Sequence, residues 1–279
     1  MAQPPTRKVV VIIGPGGMGL PLALRLSAGA HLLLADNSPT TLSSALNTLQ
    51  TAGHSASTHA TDITSYTSVL ALAHAASDLG PISAIIHAAG VAPGPGGASA
   101  KQIFEIDLRG TANIIQAFHE VASVGTSLVC IASMAGNMVT ISSELETHLA
   151  TAPLDQLLAH AEMDLENEDP GMAYIIAKRG NQLRVQAAAR GWGLKGARVN
   201  SVSPGVIMTG MVKQLLDGEG GDIMREMIGA SAVRRIGTAG DVANAVAFLV
   251  KPESDFVTGV DLLVDGGTVA GRRWGAGCC

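Results

Sequence analysis

Tyr174 and Lys178 stand four residues apart in Tyr174-Ile175-Ile176-Ala177-Lys178. On a helix that spacing puts phenol and ammonium on one face, one turn apart. A neighbouring cation favours the phenolate, which makes Tyr174 a candidate general acid/base. The pattern alone also fits a surface pair that contributes little. Upstream, an apolar run ends at Ala132-Ser133. A hydroxyl there can hold a substrate oxygen while charge moves onto or off it. A serine at a strand end equally serves as a turn cap.

A second group of residues suits phosphate and ribose. Gly14-Pro15-Gly16-Gly17-Met18-Gly19 lies between an apolar run and a helix-period stretch. Glycines let the backbone approach a pyrophosphate, whose charge then meets the helix N-terminus. Asp36 closes the second apolar run, 17 positions beyond Gly19. Its carboxylate accepts from ribose hydroxyls and repels a 2′-phosphate. Asn37 follows it, and the glycine segment holds no Lys or Arg. The set favours NAD over NADP. Taken alone, Asp36 reads as a solvated strand end.

These residues need elements to hold them. Short apolar runs at 8–13, 31–35, 55–60, 82–87, 127–132, 197–202 and 260–264 alternate with helix-period stretches. The helical stretches are 18–28, 40–52, 66–78, 102–121, 173–190 and 241–250. Continuous apolar strands separated by helices imply a parallel sheet buried on both faces. No linker or composition break divides residues 1–279, so the expectation is one α/β domain, doubly wound in the Rossmann manner, with seven parallel strands. Two stretches break the alternation. The acidic segment 137–171 carries a predicted helix over 153–164, and 205–238 is rich in Gly and Met. Long excursions in an α/β domain commonly form binding walls or lids. A solvated, charge-bearing insertion is an equal reading for the first. In the wall reading its acidic residues would face solvent, with Leu145, Leu149, Leu154, Leu157 and Leu158 facing inward at roughly helical spacing.

Composition narrows the class. Hydrophobic residues make up 47% of the 279 and charged residues 15%, which excludes a disordered, highly charged chain. Lys plus Arg total 18 against 23 Asp plus Glu, a net charge of −5 without the basic excess of a nucleic-acid binder. No apolar stretch approaches the roughly 18 residues of a membrane span. The chain has three cysteines, two of them terminal, so no disulfide framework is expected, and a reduced, cytoplasmic setting is. Cys278-Cys279 matches no C-a-a-X box and reads as a polar tail. No metal site is expected.

From end to end these motifs resemble the short-chain dehydrogenase/reductase family. The glycine loop, Asp36, Asp62-Ile63, His87-Ala88-Ala89-Gly90, Ser133, Tyr174 with Lys178, and Pro204-Gly205-Val206-Ile207-Met208-Thr209 carry the likeness. The resemblance implies Ser133, Tyr174 and Lys178 as the catalytic set. It implies a cofactor site of Gly14, Pro15, Gly17, Met18, Gly19, Asp36, Asn37, Asp62, Ile63, Ala88, Ala89, Gly90, Ile131, Tyr174, Lys178, Pro204, Gly205, Ile207 and Thr209. Asp261–Val264 is similar to the family's last strand.

Three departures stand out. The glycine loop is one residue short, and His87-Ala88 replaces paired asparagines. Ile106-Asp107-Leu108 occupies the place of an Asn that, in the family, helps hold a water of the proton relay. Asp107 is therefore a fourth catalytic candidate, through its backbone carbonyl or through its charge on Lys178; a structural Asp that breaks the helix locally is the third reading. Ser133 and Tyr174 stand 41 positions apart, a long spacing. That placement is similar to the branch with 3α-hydroxysteroid dehydrogenase/carbonyl reductase. Asn137, Met138, Met208, Met211 and Leu215, together with Ser133, could line an apolar substrate pocket, since Met adapts to bulky shapes; ordinary packing is as good a reading for the apolar ones.

The resemblance implies hydride exchange between a nicotinamide and a bulky, apolar, alicyclic secondary alcohol or ketone. It also implies a homodimer or homotetramer built on the helices at 102–121 and 173–190 and the last strand. Two other readings are a nucleotide-binding scaffold without turnover and a member recruited to isomerisation or cyclisation.

Overall fold

Seven strands form one parallel sheet, β1 Lys8–Ile13, β2 Ala30–Asp36, β3 Ala56–Ala60, β4 Ile82–His87, β5 Ser127–Ile131, β6 Arg198–Pro204 and β7 Asp261–Val264. This computed structural model describes residues 7–94, 96–218 and 221–275; Cys278 and Cys279 lie outside them. The order across the sheet is β3-β2-β1-β4-β5-β6-β7. The chain therefore reverses its direction of travel between β1 and β4, the kind of switch point at which open α/β sheets bind ligands.

Both faces of the sheet are covered, and the strands show it residue by residue. Val9, Val11 and Ile13 of β1 enter one apolar cluster, with α3 Tyr66–Leu79, α5 Gly110–Val121 and α7 Pro170–Leu194. Val10 and Ile12 enter the other, with α1 Gly19–Leu26, α2 Pro39–Thr51 and α10 Ala239–Val250. Period-two alternation with two apolar sides is what a doubly covered strand requires. Helix starts are marked in the sequence. Ser38 accepts from the Thr41 N–H, and Asp169 accepts from the Met172 N–H ahead of Pro170.

The helix expected over 102–121 is interrupted. Short α4 Ala100–Ile103 runs into a π-helical turn, Phe104–Arg109, before α5 continues. Segment 205–238 holds α8 Gly210–Asp217 and α9 Gly221–Ala230, and α11 Thr268–Trp274 follows β7.

The insertion differs from expectation. Its helix is α6, Ser143–Thr151, whereas the helix expected over 153–164 is absent and turns occupy that stretch. Ser142 caps α6 by accepting from the Leu145 N–H at 3.0 Å. Ala152 is held extended before Pro153, which ends the helix. Beyond it, the Asp164 carboxylate accepts from the Glu166 and Asn167 amides and fixes a turn. Leu145, Leu149 and Leu157 are nonetheless buried, and Leu154 and Leu158 pack beside them. They meet Ile103, Phe104, Leu108 and Ile176, forming a third apolar cluster that lies against α7 rather than on the sheet.

Candidate active site

Helix α7 carries Tyr174 and Lys178 as the four-residue spacing requires, and the Lys178 Nζ stands 5.3 Å from the centre of the Tyr174 ring. Lys178 is 5% exposed, so its ammonium needs a partner within the protein. Asp107, fully buried on the π-turn, supplies it, with Oδ2 at 3.0 Å from Nζ though without an aligned hydrogen bond. Burial pulls the Lys178 pKa down, but the charges of Asp107 and Tyr174 outweigh it and raise it overall. Burial raises Asp107, with Lys178 and the Val91 amide opposing.

Asp107 has further contacts. Its Oδ1 accepts from the Val91 N–H at 2.8 Å, and its backbone carbonyl accepts from the Thr111 hydroxyl at 2.6 Å. The Thr111 hydroxyl gives its hydrogen there, so it accepts from His87 Nε2 at 3.0 Å. His87, the residue in place of an asparagine, thus fastens β4 to the π-turn. Its Nδ1 has no partner among the described residues. Burial and the Lys178 charge push His87 down to about 3, so its imidazole is neutral.

Ser133 follows β5 and caps a short 3-10 turn, Met134–Asn137, by accepting from the Ala135 N–H at 3.2 Å. The cap uses one lone pair and leaves the O–H to donate, so capping and substrate binding are compatible. Gly136 lets this turn lie against α7: a Cβ there would stand 2.8 Å from the Arg179 nitrogen and 2.9 Å from the Lys178 carbonyl carbon. Gln182 reinforces the contact. Its Nε2 donates to the Ser133 carbonyl at 3.3 Å and to Ser203 Oγ at 2.9 Å. Ser203 and Ser201 both donate to Asp261 Oδ1, and Asn137 Nδ2 donates to Asp261 Oδ2 at 3.0 Å. Sequence reading missed Gln182, although it lies four residues beyond Lys178, one helical turn along the same face. It also missed Thr111 and Asp261, whose partners are distant in the chain.

The glycine segment sits at the switch point. Gly14 N–H donates to the Ala35 carbonyl and Ala88 N–H to the Ile13 carbonyl, each at 2.8 Å. Gly14 has φ +82°, and a Cβ there would collide with the Ala89 backbone, so glycine is needed for the β1–β4 approach. At Gly19 a Cβ would strike the Gly14 carbonyl. Gly17 is different, since a Cβ there meets nothing within 4 Å. That open space, at the N-terminal end of α1, fits a bound diphosphate.

Asp36 accepts from the Ser38 N–H through Oδ1 at 2.8 Å, which holds the carboxylate at the end of β2. Asn37 follows, exposed. Asp62 Oδ1 accepts from the Thr64 amide and hydroxyl. Ile63 is buried against Gly110, and its carbonyl accepts from Asn113 Nδ2 at 2.8 Å. Ile131 ends β5, and Ala89 and Gly90 follow β4, where a Cβ on Gly90 would crowd both Asp107 and Lys178. Past β6, the Gly205 N–H donates to the Val264 carbonyl, Ile207 bridges to Gly237, and Thr209 accepts from the Val212 N–H. Among the pocket candidates, Met138 and Met208 are exposed. The side chains of Met211 and Leu215 lie outside the described residues.

Among the described residues, no cluster of three His, Cys, Asp or Glu could hold a metal ion. No helix among them is long and apolar enough to cross a membrane.

A family model described as short chain dehydrogenase matches residues 8–145, and one described as Enoyl-(Acyl carrier protein) reductase matches residues 157–269. Short-chain dehydrogenase/reductase bsc3 of Alternaria brassicicola is 34% identical over 271 residues, covering 95% of this chain and 97% of its own. The 7alpha-hydroxysteroid dehydrogenase of Escherichia coli (strain K12) is 29% identical over 268 residues, 94% of each chain. A solved short-chain type dehydrogenase/reductase from Mycobacterium ulcerans shares the fold, with TM-score 0.74 and 24% identity over 95% of this chain and 90% of that one. With a relative of this similarity along nearly its full length, the chain belongs to the short-chain dehydrogenase/reductase family, whose members are oxidoreductases using a nicotinamide cofactor.

Proposed function

We propose that this protein transfers a hydride between NAD(H) and a bulky, apolar secondary alcohol or ketone. The observation that carries the reading is the convergence on α7: Tyr174 and Lys178 on one face, with the Ser133 turn seated against the same helix through Gly136 and Gln182. Bound nicotinamide supplies the hydride chemistry. The chain's own residues do the rest. Tyr174 exchanges a proton with the substrate oxygen through its hydroxyl. Ser133 orients that oxygen with the O–H its cap leaves available. Lys178 holds positive charge beside the phenol and binds the ribose.

Gly14, Pro15, Gly17, Met18 and Gly19 would cradle the diphosphate, and Asp36 would take the adenine ribose. NAD is favoured because one Asp36 oxygen is fixed by the Ser38 amide, holding a negative charge where a 2′-phosphate would lie. The start of 137–171, beside Ser133, and the 205–238 segment are the proposed walls of the substrate site. An alicyclic, steroid- or terpenoid-type substrate fits their Met content, and one full-length relative is named as a steroid dehydrogenase.

The test is Tyr174→Phe assayed with NAD+ and cyclic secondary alcohols and with NADH and ketones. Turnover should fall by at least about a thousandfold while the NADH dissociation constant changes less than about threefold. A variant that keeps its activity overturns the assignment, and rearranged product without net redox change would point to isomerisation. For the cofactor, Asp36→Ala with Asn37→Arg should move preference toward NADP by roughly tenfold or more in kcat/KM. A wild type that already prefers NADP refutes the reading of Asp36.

A further inference from the structure

Buried this deeply, an ammonium without an opposing charge would lose its proton readily. Around Lys178 the described residues offer one carboxylate for that purpose. Asp107 Oδ2 stands 3.0 Å from Nζ, with both side chains almost wholly enclosed. Three other titratable side chains face the pair. From β4, His87 is neutral, pushed down to about 3. From β5, burial pushes Cys130 up to about 12. From α7 comes Tyr174, its ring beneath the ammonium. Neighbouring ions on the same elements are engaged with each other: Glu105 on the π-turn lies 3.6 Å from Arg109, and Arg179 of α7 is paired with Glu146.

Asp107 is also tied to the turn after β4. Its Oδ1 holds the Val91 amide, and Gly90 packs so closely that a Cβ would stand 3.0 Å from Oδ1 and 3.4 Å from Nζ. Its backbone carbonyl is taken by Thr111, so backbone and side chain are both engaged by protein groups. We propose that Asp107 is a positioning residue whose carboxylate is the counter-ion that keeps the Lys178 ammonium charged and docked beside the turn at 88–91. Its consequence for turnover rests on Tyr174 and Lys178 being the acid/base pair, whereas the counter-ion relation itself does not.

The sign follows from the two opposing causes at Lys178. With Asp107 present, charge attraction outweighs burial and the ammonium persists through alkaline pH. With Asn at that position the largest of the charges opposing burial is gone, and the proton is lost at lower pH. Asp107→Asn keeps the shape and the acceptor for the Val91 amide while removing the charge. The measurement is kcat/KM for ketone reduction across pH, beside NADH binding by fluorescence titration near pH 7 and near pH 9.5. The alkaline limb should move acidward by about one unit or more, and NADH binding should weaken on alkalinisation at least about fivefold more than in wild type. A uniform loss of rate with an unmoved limb and the same pH dependence of binding would mean a merely structural role and overturn the proposal.

A variant too unstable to assay leaves a second measurement, thermal melting of Asp107→Asn, Lys178→Met and the double variant. An uncompensated buried ammonium predicts that the double variant melts higher than Asp107→Asn alone. Strictly additive losses would overturn the counter-ion role. Activity surviving in Tyr174→Phe would instead remove the acid/base reading and leave the melting comparison intact.

Discussion

His87 is a buried base at the end of a core strand, and its neutrality has a measurable cost in acid. The native imidazole protonates only near 3, whereas an unfolded chain takes the proton near the ordinary histidine value of 6.5. Between those values the unfolded state binds more protons, so stability rises with pH, is fully present above the unfolded value, and is lost as pH falls toward 3. His87→Gln keeps a donor for Thr111 without titrating. From pH 6.5 to about 4, wild type should lose roughly 2–3 kcal/mol more stability than the variant, read from denaturant melts. Equal losses would mean that His87 is not held neutral. The sequence showed where such a departure lay but not what it did. The placement of Tyr174 and Lys178 on one helix face and of Ser133 just past a strand end was legible from local spacing, whereas their catalytic roles belong to the proposed function. The grip of His87 on Thr111 was not legible, because it joins elements far apart in the chain, and the pairing of Asp107 with Lys178 was one of three readings the sequence left open.

Elements place these groups through a few close approaches, and two glycines separate packing from binding. Gly136→Ala would drive a Cβ into the Arg179 and Lys178 backbone, which cannot yield, so the turn must lift from α7 and carry Ser133 with it. The expected loss in kcat/KM is about a hundredfold, with NADH binding within about threefold of wild type. Gly17→Ala should do the reverse. Its Cβ meets nothing within 4 Å and the residue is not at positive φ, so the melting temperature should hold. NADH binding should weaken at least about tenfold if the diphosphate lies there. Unchanged binding would remove the loop from the cofactor site. The seven strands and most helices were legible from alternating apolar runs and caps. Two features were not. The π-turn at Phe104–Arg109 leaves no periodic trace in so short a stretch. The leucines of 153–164 mimic helical spacing while packing from successive turns, so burial was read correctly and the element wrongly.

On the scale of the molecule, the sheet ends at β7, whose outer side pairs with no strand among the described residues. Edge strands invite pairing or burial against another chain. Exposed apolar side chains lie on this strand, in the residues just before it and on α10. Phe256 is fully exposed, Phe248 of α10 is 48% exposed, and Val260 and Leu263 are 38% and 36% exposed. At the other candidate contact, α7 is already partly covered within the subunit. The Arg179–Glu146 pair and the Arg184 hydrogen bonds to the Leu149 and Ala152 carbonyls clamp α6 along it. Cover of that kind leaves the β7 edge with α10 as the better surface for self-association. Exposed residues cost little to replace in the free subunit, so Phe256→Ser with Leu263→Thr should preserve the melting temperature at low protein concentration. If subunits meet at this edge, sedimentation velocity should show the variant as a smaller species than wild type at equal concentration. Identical sedimentation would move the contact to the α5 and α7 side, or show that the subunit stands alone.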